Sequence, residues 1–131
     1  MVSLSEVADM AMALPEVTEG SRFQYRTWFV RGTGFVWERP LSKADIRRFG
    51  AAKPPEGPLL ALRVTDLAEK EAVLATASSA LFDIEHFKRY PAVLVQLSSV
   101  ERDELQQAIV DAWLACAPPK LAEEFLQHQQ P

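Results

Sequence analysis

The residues with the most chemical potential in this sequence are its cations. Seven of the 14 Lys and Arg residues fall between positions 21 and 50: Arg22, Arg26, Arg31, Arg39, Lys43, Arg47 and Arg48. Only Glu38 and Asp45 offset them, so the stretch carries +5 within a chain of net charge −4. Lys43 and Arg47 stand four apart, the spacing that puts two side chains on one helix face. Arg39 and Arg48 extend that group, and Arg26 lies upstream of it. Cations that converge on one surface neutralise phosphates and release condensed counterions. Tyr25 and Phe29 belong to the same stretch, and exposed aromatic rings stack on unpaired bases. Together Tyr25, Arg26, Phe29, Arg39, Lys43, Arg47 and Arg48 point to weak nucleic-acid binding. The competing reading is a solvated face whose arginines pair with Glu38 and Asp45.

Other chemistries lack their parts. A zinc site needs three or four His, Cys or carboxylate ligands at suitable spacing. His86 and His128 are the only histidines and lie far apart in the chain. Cys116 falls on the apolar stripe of a predicted helix with no base beside it, so it reads as a small core residue rather than a nucleophile. The carboxylate pairs Glu69/Glu71, Asp103/Glu104 and Glu123/Glu124 sit at solvent-facing helical positions, whereas acid–base catalysis needs them in a cleft. Gly32-Thr33-Gly34 precedes no helix and so makes no phosphate loop. The expectation is a non-enzymatic module with no catalytic residue, no metal and no cofactor. Its partner is nucleic acid, bound weakly. The alternative is a protein-interaction domain that docks through an uncovered sheet face or its last helix. Both a monomer and a homodimer stay open.

The length of 131 residues fits a single domain over 1–131. No apolar run approaches the 18 or more residues of a membrane span. The start, Met1 to Glu6, lacks the basic and apolar segments of a signal peptide. One cysteine forms no internal disulfide. A cytoplasmic location without membrane contact is the expectation.

The elements that must position these residues begin with a helix from Ser3 to Ala13, where Ser3 and Glu6 form a capping box. Residues 16–20 read as a connector, and 23–25 as a short strand or lead-in. Trp28 to Trp37 reads as a β-hairpin. Gly32-Thr33 suits a two-residue type II′ loop, which predicts Trp28 opposite Trp37, Phe29 opposite Val36 and Val30 opposite Phe35. Trp28, Val30, Phe35 and Trp37 would then share the face toward the helices. Ser42 caps a short helix from Lys43 to Phe49, closed by Gly50. A loop over 51–57 leads to a strand over 59–64, in which Arg63 points away from Leu60, Leu62 and Val64. Asp66 caps a second long helix, reaching about Ala77, with Leu67 and Leu74 inward. Residues 80–86 alternate weakly, and a strand spans 91–97. Ser98 with Glu101 predicts a capping box for the clearest helix, whose stripe is Leu105, Ala108, Ile109, Ala112, Trp113 and Cys116. A last helix spans Lys120 to Leu126, and the tail over 127–131 frays. The short hairpin demands antiparallel pairing. The fold class is α+β: a two-layer sandwich of an antiparallel β-sheet with helices packed on one face.

Three blocks then add up to a resemblance. They are Leu14 to Gly20, the hairpin end Phe35 to Asp45, and His86-Phe87-Lys88-Arg89-Tyr90-Pro91 running on to Val95. In order and spacing they resemble the MmcQ/YjbR family, across most of residues 1–116. The resemblance implies a small α+β domain with a double-wing sheet, labelled DNA-binding by structural analogy and of unknown function. It implies no catalytic residues. The family often carries Gly-Lys at the hairpin turn, where this chain has Gly32-Thr33-Gly34, so a cation is missing from that tip.

Overall fold

A computed structural model of the chain describes residues 1–129. Its helices begin where the sequence supplies caps. Ser3 accepts from the Glu6 amide while the Glu6 carboxylate accepts from the Ser3 amide, and α1 (Leu4–Met12) follows with Val7, Met10 and Ala11 buried. Ser42 and Asp45 make the same reciprocal pair for α2 (Lys43–Arg48), and Gly50 follows at φ +60°. Asp66 caps α3 (Leu67–Thr76). Within α3, Leu67 is exposed against expectation, and Lys70 is the buried residue. The helix α4 (Arg102–Cys116) starts without the expected Ser98–Glu101 box. Ser98 and Ser99 instead lie in a turn in which the Ser99 and Val100 amides both donate to the Gln96 carbonyl. That turn buries Val100 completely.

Six strands form one antiparallel sheet. They are β1 (Val17–Arg22), β2 (Tyr25–Val30), β3 (Thr33–Glu38), β4 (Leu59–Arg63), β5 (Leu81–Phe82) and β6 (Ala92–Gln96), in the order β1-β2-β3-β4-β6-β5. A 3-10 turn, Glu85–Phe87, precedes β6. Two expectations are corrected here. The stretch expected as a connector supplies the start of β1, and Phe23-Gln24 is the turn into β2 rather than a strand. An edge strand with only Val17 buried shows no alternation, so its pattern gives no signal.

The second correction is the hairpin register. Val30 pairs with Thr33 and Phe29 with Gly34, so the loop is Arg31-Gly32. Both residues have positive φ, +46° and +84°, the signature of a type I′ turn. Beyond Phe29 the register shifts, and Trp28 pairs with Val36 while Thr27 pairs with Trp37. Phe35 is the extra residue of a β-bulge. Phe35 and Val36 consequently both enter the core, and Trp37 turns to the opposite face from Trp28.

On the helix-covered face Trp28, Val30, Leu60, Leu62, Val93 and Val95 pack with Val7, Leu105, Ile109 and Trp113. The indole N–H of Trp113 donates to the Pro15 carbonyl at 3.1 Å. The architecture is the expected α+β fold, an open antiparallel sheet with its main helix layer on one face. A smaller cluster of Ala61, Ile84, Phe87, Ala92 and Leu94, flanked by Trp37 and Phe49, covers part of the second face. Among the described residues no helix is long and apolar enough to cross a membrane.

The last helix, α5 (Pro119–Gln129), packs through buried Leu121 and through Phe125, whose ring lies 4.9 Å from that of Trp113. Residues 127–129 of the expected tail are exposed helix, and residues 130–131 lie outside the described residues. Deleting residues 127–131 should move the melting temperature by less than about 2 °C. Deleting from Leu121 onward should cost roughly 2–4 kcal/mol in chemical denaturation. Equal curves for the two truncations would show that the Phe125–Trp113 contact contributes nothing.

Candidate functional site

The bulge in β3 has a direct consequence for the second face. It places Trp37 among the side chains around a groove of about 540 Å³, a size within the range of ligand sites. Arg22, Phe23 and Tyr25, at the tip of the β1–β2 hairpin, form one wall. His86, Phe87 and Tyr90 form another, and Pro40 to Ser42 the rim. Trp37 and Tyr90 meet edge to face at 6.4 Å, as do Phe87 and Tyr90 at 5.4 Å. These contacts fix ring orientations and leave part of Tyr90 open to solvent, and Tyr25 is likewise exposed.

Glycine makes room on this face. A Cβ at Gly34 would stand 3.1 Å from Nη1 of Arg22 and 3.2 Å from Cγ2 of Thr27. The Arg22 guanidinium therefore reaches across β2 to lie over Gly34. The Phe29 ring flanks Gly20, where a Cβ would stand 3.3 Å from Cε2. Among the described residues Arg22 has no carboxylate partner.

The aromatic wall is tied down from behind. Nζ of Lys70 donates to the carbonyls of Phe87 and Tyr90, the latter at 2.9 Å, and pairs with Asp83 at 2.9 Å. A buried ammonium satisfied by three acceptors offsets its desolvation. Arg39 stacks over Phe87 at 5.3 Å and Arg63 over Tyr90 at 5.6 Å.

The seven cations of residues 21–50 divide among separate surroundings: Arg26 and Arg31 each hold a carboxylate on β1 or just before it, while Arg39, Lys43, Arg47 and Arg48 gather at α2. Arg26 sits on the Trp28 side of β2, forms two 3.0 Å hydrogen bonds to Glu19 and lies 5.2 Å from the centre of the Trp28 ring. Arg31 holds Glu16 in the same fork, at 2.7 and 3.0 Å. These guanidinium hydrogen bonds keep both carboxylates below their ordinary pKa range. Arg39 and Arg48 share buried Asp45, at 3.1 and 3.6 Å. Burial pushes the Asp45 carboxyl up, but the Ser42 amide and hydroxyl and Arg39 outweigh it, and the net direction is down. Lys43 and Arg47 are exposed on α2 without an ion pair among the described residues. Of the aromatics, Tyr25 lines the groove and Phe29 lies on the same face, half-buried, beside the glycines.

Sequence reasoning did not bring in Phe23, Trp37, Phe87 or Tyr90, nor the placement of Arg22. The only available sign was the aromatic density of the 86–90 block, which reads equally well as a turn. Among the described residues no cluster of His, Cys, Asp and Glu has the makings of a metal site. Burial pushes the Cys116 thiol above its ordinary pKa, against a smaller opposing pull from Arg63, which suits a core residue and not a nucleophile.

Comparison with known proteins places this geometry. The YjbR family profile matches residues 12–115. The chain belongs to the YjbR family. Relatives include uncharacterized protein Rv2570 of Mycobacterium tuberculosis and uncharacterized protein Mb2600 of Mycobacterium bovis. Each is 36% identical over 129 residues, covering 96% of this chain and 97% of the relative. The matched YjbR region contains the whole groove, from Arg22 to Tyr90.

Lys70 gives the site a stability test. Lys70→Met strips the Asp83 carboxylate of its cation and takes one donor from each of two carbonyls, leaving the three acceptors only the amides of Ile84, Tyr90 and Ala92. It should cost about 2–4 kcal/mol in urea unfolding, somewhat under the fully buried limit because Asp83 keeps some contact with water. Wild-type stability in this variant would mean that the aromatic wall needs no clamp.

Proposed function

We propose that this YjbR protein is a non-catalytic binding module that takes single-stranded nucleic acid on the second face of its sheet. One observation carries the reading. Aromatic side chains from β2, β3 and the 86–90 segment surround one groove, beside Arg22, which has no acidic partner among the described residues. Each base stacked on an aromatic ring contributes about 1–3 kcal/mol without regard to sequence. Bases inside a duplex keep their faces stacked on each other, so a groove of rings favours a single strand. Arg22 supplies one cation at the groove. Lys43 and Arg47 extend the basic surface from the helix that starts at the Ser42 rim.

The magnitudes keep affinity modest. Four of the seven cations are held by carboxylates, and the chain is net −4. Binding is therefore expected in the range of about 10⁻⁴ to 10⁻⁶ M at physiological salt. Three available cations give a log–log salt slope of about −2 on a single strand. Fluorescence anisotropy with a labelled oligothymidylate measures both quantities. Lys43→Ala with Arg47→Ala should flatten the slope by about 1.4. Tyr25→Ala should weaken binding on the order of tenfold and leave the slope unchanged. Absence of wild-type binding at about 50 mM salt, or equal binding of a duplex of the same length, contradicts the proposal.

A further inference from the structure

We infer that Phe23 is a ligand-clamping residue, held in a left-handed backbone conformation at the hairpin tip to stack on a base lying in the groove. The inference rests on the nucleic-acid reading above and adds a specific residue to it. Register pairs Arg22 with Tyr25, so Phe23-Gln24 is a two-residue loop. Both residues have positive φ, +53° and +71°, as a type I′ turn requires. Gly, Asn and Asp are the residues that occupy such positions at little cost. A Phe there is strained.

Among the described residues no hydrophobic cluster takes up the Phe23 ring to offset that strain. The Phe23 side chain is 85% exposed, and it belongs to neither hydrophobic cluster. An apolar ring in water, on a backbone that favours glycine, breaks two local rules at once. Sites that break local rules without a stabilising return are where function is expected. The ring also stands at the edge of the groove rather than on a random surface. Arg22 precedes it and Tyr25 follows two residues on, and all three line the groove, so the hairpin end supplies two rings and a cation to one site. A splayed base fits against Phe23 while its phosphate meets Arg22. An apolar peptide would gain from the rings but would leave the Arg22 charge unanswered.

Phe23→Asn separates the roles, because Asn accepts the left-handed conformation and lacks the ring. A single-stranded oligonucleotide carrying 2-aminopurine serves as probe, read by its fluorescence, with thermal melting alongside. Phe23→Asn should melt at or above the wild-type temperature and bind on the order of tenfold more weakly. Phe23→Trp should bind within about twofold of wild type. If the wild type binds and Phe23→Asn binds equally, the clamp is overturned and the groove reading stands. If Phe23→Asn melts lower or fails to fold, Phe23 is structural and the clamp is likewise overturned. If the wild type does not bind, the nucleic-acid reading fails and takes the clamp with it.

Discussion

The β-bulge at Phe35 governs how the two faces of this sheet divide their labour. A regular strand alternates, and alternation from a core-facing Phe35 would send Val36 outward and Trp37 inward. One extra residue in β3 lets Phe35 and Val36 both fill the core under α4 and delivers Trp37 to the far side. The helix-covered core is then complete without Trp37. That ring becomes available for the second face, where it meets Tyr90 and lies in the groove. Bulges recur where a side chain has to be re-aimed, and the consequence here is an aromatic surface on the side away from the main helices.

Charge follows the same division. Arg26 lies on the Trp28 side and is neutralised by Glu19, which also accepts the indole N–H of Trp28 at 3.1 Å. Arg39 and Asp45 are used to anchor α2 beside the sheet. A strongly basic segment therefore presents a modest basic surface. What it keeps is Arg22 over Gly34 and the pair on α2. This is why stacking rather than charge is the larger part of the proposed contact, and why shape favours a strand with free bases.

The sequence made the helices and the inner strands legible. Capping side chains at Ser3, Ser42 and Asp66 act where expected, and the stripe Leu105, Ile109, Ala112, Trp113 is buried as spaced. Leu60 and Leu62 share the core face and Ala61 the other, as strand parity requires. The groove was only partly legible, through Tyr25 and Arg39, which line it. Two causes account for the rest. The turns at Phe23-Gln24 and Arg31-Gly32 put three non-glycine residues at positive φ, so no usual turn residue marked the first, and Gly32 marked the second without fixing which neighbour shares it. A bulge has no compositional signature, and one inserted residue reverses the side of everything beyond it. The Trp28 side was read correctly and the Trp37 side was not, for that single reason.

The three tryptophans make the most direct test. Trp28 and Trp113 are fully buried, their indole N–H groups bonded to Glu19 and to the Pro15 carbonyl. Trp37 is half-buried in the groove. A nitrogen-15 NMR titration with a single-stranded oligothymidylate reads all three indole signals at once. A shift of the Trp37 indole, with those of Trp28 and Trp113 stationary, is the predicted result. Stationary signals from all three, or shifts confined to the amides of Lys43–Arg48, would contradict binding in the groove.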